Sequence, residues 1–134
     1  MDRVKAFDIP VNDMKRAQRF YQEVFDWKVT PIPGSGGNFH AAQTVPVDEK
    51  GDPKVPGGIN GGFFQRGTYG LEGTFLEVNV SSIDEHLKKI ESAGGKLVKA
   101  KGPILDIAFF AVIEDTEGNI IGLWEDIENR GVSP

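Results

Sequence analysis

The strongest constraint on this 134-residue chain is that its opening strand and helix occur twice. A shift of 69 residues carries Asp8 onto Glu77, Ile9 onto Val78, Asp13 onto Ser82, Met14 onto Ile83 and Tyr21 onto Ile90 without a gap. A shift of 60 carries Gly58 onto Gly118, Gly62 onto Gly122 and Gln65 onto Glu125. Each copy has only about 60 residues, too few to bury much surface alone, so the two copies must share their burial. The expected class is α+β: two paired β-α-β-β-β modules forming a curved mixed sheet around a cavity. The length fits one domain over 1–134, with module 1 at about 3–66 and module 2 at about 73–127.

Local patterns supply the elements. Met14, Ala17, Phe20, Tyr21, Val24 and Phe25 form one helical stripe, which predicts a helix over 13–25 with Asn12 or Asp13 as cap. Strands are expected at 4–10, 27–32, 38–45 and 59–65, and a Pro- and Gly-rich loop at 46–58. In the second copy a strand at 75–80 leads to Ser82-Ile83-Asp84-Glu85, the spacing of a capping box. The helix it starts should stop at Gly94-Gly95, followed by strands at 96–100, 108–114 and 119–126. Glycine is 17 of 134 residues, and eleven of these lie between Gly34 and Gly73, so the excess marks the long loop and last strand of module 1. Glycines inside a strand point to a bulge or a close approach.

Composition removes whole classes of function. Without cysteine, the chain has no disulfide, thiolate metal site or thiol nucleophile. Its two histidines, His40 and His86, cannot supply a three-histidine site from one chain. A formal net charge of −5 opposes nucleic-acid binding, which needs clustered Lys and Arg. No apolar run reaches the roughly 18 residues of a membrane span, and the N-terminus lacks the apolar segment of a signal peptide, so no membrane partner and a cytoplasmic location are expected. Parity leaves the face of His40 open, with a solvated strand position preferred, and His86 reads as a partly buried or interface residue. Asp48-Glu49-Lys50-Gly51-Asp52 lacks the acid spacing of a calcium loop, and Gly34-Ser35-Gly36-Gly37 lacks the Lys and Ser/Thr of a phosphate loop.

Several segments then resemble one family in order and spacing. Phe7-Asp8-Ile9-Pro10-Val11-Asn12-Asp13, with Ala17, Phe20-Tyr21 and Val24-Phe25-Asp26-Trp27 after it, is similar to the opening of vicinal oxygen chelate proteins. These form the glyoxalase, bleomycin-resistance and ring-cleaving dioxygenase superfamily. Ala93-Gly94-Gly95-Lys96 resembles its second-helix ending, and Asp115-Thr116-Glu117-Gly118-Asn119 with Gly122-Leu123-Trp124-Glu125 its closing strand. Pro56-Gly57-Gly58-Ile59-Asn60-Gly61-Gly62 is similar to a subgroup related to lactoylglutathione lyase. The resemblance implies an open cavity and, by analogy, a homodimer. In metal-using members four inward positions hold a divalent metal, and they carry over to Ala6, Gln65, Phe75 and Glu125. Only Gln65 and Glu125 offer donors, too few for such an ion, so no metal or other cofactor is expected.

Strand alternation gives a separate reading of the cavity face. If Phe7 and Ile9 pack on the helix, Ala6 and Asp8 face away, and the repeat then turns Phe75, Glu77 and Asn79 the same way. On the last strands Phe63, Gln65, Leu123 and Glu125 are expected to join them. The expected ligand-binding set is therefore Asp8, Phe63, Gln65, Phe75, Glu77, Leu123 and Glu125, a few polar groups on an apolar wall. Phe63, Phe64, Phe109, Phe110 and Trp124 read mostly as core, with alternate members able to wall the same space. Glu125 and Glu77 are the candidates for a general acid or base. Three functions follow: metal-independent binding of a small cationic or polar aromatic molecule, a metal-dependent lyase or isomerase of the glyoxalase kind using Glu125, or a non-catalytic interaction module.

Overall fold

Both copies of the repeat fold as a strand, a helix and three further strands in the computed structural model, which describes residues 1–127. The class is α+β. The chain divides into one unit of Ala6–Thr74 and a second of Met1–Lys5 with the chain from Phe75 onward. Residues 128–134 of the expected domain lie outside the described residues.

Module 1 contains β1 (Arg3–Val11, its part from Ala6 on), α1 (Met14–Phe25), β2 (Lys28–Pro31), β3 (Phe39–Gln43) and β4 (Asn60–Gln65), in the order β2-β3-β4-β1. β1 and β4 run parallel, and the other pairs are antiparallel. Module 2 repeats this plan with β5 (Phe75–Asn79), α2 (Ile83–Ser92), β6 (Lys96–Ile104), β7 (Ala108–Glu114) and β8 (Ile120–Asp126), in the order β5-β8-β7-β6. Here β5 and β8 are the parallel pair.

Each helix starts where its cap requires. The Asp13 carboxylate accepts from the Arg16 N–H at 3.0 Å, and the Ser82 hydroxyl accepts from Glu85 N–H at 3.2 Å. The capping box is half formed, because the Glu85 carboxylate turns to Lys88 Nζ at 3.5 Å instead of returning to the cap. α1 ends at Asp26 in the left-handed region, and Gly94 (φ 99°) follows the cap of α2. A short 3-10 turn at Thr68–Gly70, absent from the sequence reading, follows β4.

The apolar stripes bury against the sheets. In module 1, Phe7, Ile9, Met14, Ala17 and Tyr21 close on Val11, Val29, Ala42 and Phe63. In module 2, Val78, Leu87, Ile90 and Phe109 close on Val80, Ile83, Ala111, Ile113 and Leu123. Ile83 is fully buried, which stabilises the fold by about 1.5–3 kcal/mol. The first five residues belong with module 2, not module 1, for two reasons. The Asp2 carboxylate lies 2.8 Å from His86 Nε2, and Lys5 Nζ sits 4.8 Å from the centre of the Trp124 ring.

Candidate functional site

The helix covers one face of each module's sheet, so the side chains on the opposite, open face are the candidates for chemistry. Cross-strand partners share a face. In module 1, Ile9 pairs with Phe63 and Val11 with Gln65 on the helix side, whereas Asp8 pairs with Gly62 and Pro10 with Phe64 on the open side. In module 2, Val78 pairs with Leu123 on the helix side, whereas Glu77 pairs with Gly122 and Asn79 with Trp124 on the open side.

Asp8, Phe75 and Glu77 therefore face as expected, and the parity of the last strands is corrected. Phe63 is in the α1 core, its ring centre 5.0 Å from that of Tyr21, and Leu123 is in the α2 core. Gln65 Nε2 donates to the Asn12 carbonyl at 3.2 Å, beside the start of α1. Glu125 Oε1 accepts from Ile83 N–H at 2.6 Å, at the start of α2. These two equivalent residues thus brace the entry to their own helix. The polar ends of β4 and β8 looked like cavity groups because a helix start needs polar partners too.

The inward positions that the sequence reading missed are glycines. A Cβ at Gly122 would stand 2.9 Å from Glu77 Cγ, 3.0 Å from the Phe110 ring and 3.2 Å from the Phe75 ring. A Cβ at Gly62 would stand 3.1 Å from the His40 carbonyl and 3.7 Å from Asp8 Oδ1. Each module thus sets an acid on its first strand against a glycine on its last. The shift of 60 residues that pairs Gly62 with Gly122 was the available signal.

Module 2 has the more developed open face. Glu77 is only 6% exposed and is bordered by Phe75, Phe110 and Gly122. At its rim, Asn79 Nδ2 donates to the Trp124 carbonyl at 3.1 Å and to Asp126 Oδ2 at 3.4 Å, while Trp124 Nε1 donates to Asp126 Oδ1 at 3.0 Å. Lys99 Nζ lies 5.7 Å from the Phe110 ring centre, and burial lowers the pKa of Lys99. Phe110 and Trp124 fall on this face, and Phe109 packs on the helix side.

Neither histidine joins a site. His40 is buried on the helix side of β3 opposite Phe63, which overturns its reading as a solvated residue, and its Nδ1 has no hydrogen-bond partner among the described residues. His86 is partly buried between the Ser82 carbonyl and Asp2, both at 2.8 Å.

The donor set does not fit the divalent metal implied by the resemblance. Ala6 and Phe75 carry no donor, Gln65 and Glu125 serve the helix starts, and Gly62 and Gly122 stand at the inward positions of β4 and β8. No group of three His, Asp or Glu side chains gathers among the described residues. Among them, too, no helix is long and apolar enough to cross a membrane.

Comparison with known proteins agrees with this architecture. The family model described as Glyoxalase/Bleomycin resistance protein/Dioxygenase superfamily matches residues 3–123. "Putative glyoxylase CFP32" of Mycobacterium bovis is 25% identical over 132 residues, covering 94% of this chain and 46% of that protein. The chain thus spans about half the length of that curated relative. A glyoxylase-like domain-containing protein of Didymella fabae is 26% identical over 126 residues, covering 87% of this chain and 88% of its own. A methylmalonyl-CoA epimerase of Streptomyces coelicolor, solved with 2-nitronate-propionyl-CoA, superimposes with a TM-score of 0.67 at 13% identity, covering 98% of both chains. At that identity the likeness is one of fold alone.

Proposed function

Because the chain belongs to the Glyoxalase/Bleomycin resistance protein/Dioxygenase superfamily, we propose that it binds a small cationic or polar aromatic molecule on the open face of module 2, without a metal. The observation that carries this reading is the buried Glu77 carboxylate set among the rings of Phe75 and Phe110, which close on the backbone of Gly122. A carboxylate beside ring faces in a largely apolar setting attracts a cation twice, by charge and by the ring quadrupole. The rings already draw ammonium groups, Lys5 onto Trp124 and Lys99 onto Phe110, so a ligand cation competes with these lysines for the same surfaces.

The two tryptophans, Trp27 and Trp124, lie one in each module, so their indole N–H resonances report on each separately. Titration with benzyltrimethylammonium should shift the Trp124 indole saturably, and benzoate should leave it in place. Glu77→Gln should weaken the cation by about tenfold, or 1.4 kcal/mol. A Trp124 indole unmoved by the cation, or moved as far by benzoate, overturns the reading. The same buried carboxylate favours one second reading, a metal-free isomerase or lyase in which Glu77 moves the proton. Glu125 gives less support to a catalytic role, since its carboxylate is engaged at Ile83.

A further inference from the structure

We propose a second binding site, on the helix side of module 1, for a small organic anion that carries a carboxylate on a flat apolar body. A groove of about 370 Å³ lies where β1 passes into α1, with Ile9, Ala17, Phe20 and Tyr21 along it and Arg16 and Arg66 at its margin. Arg66 is fixed in place: Nε donates to Asn12 Oδ1 at 2.9 Å, Nη1 to the Glu72 carbonyl at 2.6 Å and Nη2 to the Pro10 carbonyl at 3.4 Å. All three acceptors are neutral oxygens. Among the described residues neither arginine has a carboxylate within salt-bridge distance. Asp13 also lines the groove, but its carboxylate is turned to the Arg16 backbone N–H as the helix cap.

The repeat makes this charge specific to module 1. Lys15, Arg16 and Arg66 stand at the positions that carry Asp84, Glu85 and Asp126 in module 2. Three equivalent positions thus change from acid to base between two copies of one design, in a chain of net charge −5. Two guanidinium groups match a carboxylate through paired N–H donors, and the rings of Phe20 and Tyr21 offer a surface to a flat apolar body. Phe20 is half exposed, so a ligand lying on it removes apolar surface from water. The Tyr21 ring stacks on Trp27 with centres 4.9 Å apart, so Trp27 senses events in the groove.

The test is a titration of the full chain with benzoate, followed at the Ala17 amide and the Trp27 indole. Both should shift and saturate, while benzyltrimethylammonium should move neither. The Arg16 side chain makes no salt bridge or hydrogen bond among the described residues and only a longer-range attraction to the Asp13 carboxylate, so Arg16→Gln should leave folding intact and weaken benzoate by about tenfold. Arg16→Lys should recover only part of that loss, because an ammonium lacks the planar fork. Arg19→Gln, a basic residue of α1 outside the groove lining, should change the affinity by less than about twofold. Shifts that fail to saturate, equal losses for Arg16→Gln and Arg19→Gln, or the same response to the cation would overturn the proposal. Because this readout is in module 1 and that for Glu77 is at Trp124, either can fail without the other.

Discussion

Replacing Glu125 with alanine should destabilise the protein by about 2 kcal/mol, whatever it does to ligand binding. The magnitude follows from the 2.6 Å bond between Glu125 Oε1 and the Ile83 N–H. That N–H is one of the first-turn donors of α2 that the helix itself leaves unpaired. Ser82 does not replace Glu125 there, because its hydroxyl takes the Glu85 N–H. Ile83 is fully buried, so water has poor access to the donor left behind, and a buried unpaired N–H costs about 1–3 kcal/mol. Glu125→Gln keeps an acceptor and loses only the negative charge at the helix start, a loss of about 0.3–1 kcal/mol. The assay is urea unfolding followed by far-UV circular dichroism, with the midpoint displaced and the slope unchanged. An alanine variant within about 0.5 kcal/mol of the parent, or a glutamine variant as unstable as the alanine one, would refute the capping role.

Gly122→Ala should cost about 1–3 kcal/mol by crowding Glu77, Phe110 and Phe75, and less when Glu77 is also alanine; equal costs in both backgrounds would contradict the packing. Backbone N–H bonds hold the pKa values of Asp13, Asp48 and Asp115 below the ordinary 3.8, chiefly those of Arg16, Asp52 and Asn119 respectively. Their folded values are depressed, so the stability they give is present above the unfolded value of 3.8 and is lost as pH falls from there through the lower folded values; Asp115→Asn should flatten that acid slope in pH-dependent unfolding. Lys99 gives a slope of the same sign, since burial lowers its folded value below 10.5 and the folded state binds fewer protons there, but its lowering costs stability at neutral pH instead of adding it. Stability should therefore rise with pH through the window below 10.5, and Lys99→Met should remove that rise.

Much of the fold was legible because helix and first-strand signals are local. Asp13 and Ser82 cap the helices that their spacing announces, and Phe7, Ile9 and Val78 pack on the helix side as alternation requires. The last strands were misread because β8 is apolar on both faces, so Ile121 and Leu123 do not contrast with Gly122 and Trp124. A strand buried on both sides has lost its period of two. Glycine adds nothing to a hydropathy pattern, yet Gly62 and Gly122 decide what the open face can hold. His40 escaped for a related reason, since a polar residue gives no sign of being enclosed by its neighbours. The groove beside Arg66 was also out of reach, because two long-range hydrogen bonds carry that side chain back to Pro10 and Asn12, with a local one to Glu72.

On the proposed function, this member of the superfamily binds its ligand through Glu77 and not through a metal. The most direct measurement is the Trp124 indole titration with benzyltrimethylammonium, run after exhaustive treatment with EDTA and again with added zinc or nickel. Equal saturation curves under both conditions, and a curve about tenfold weaker in Glu77→Gln, are the predicted result. Binding that appears only with added metal, or that is unchanged in Glu77→Gln, would contradict it.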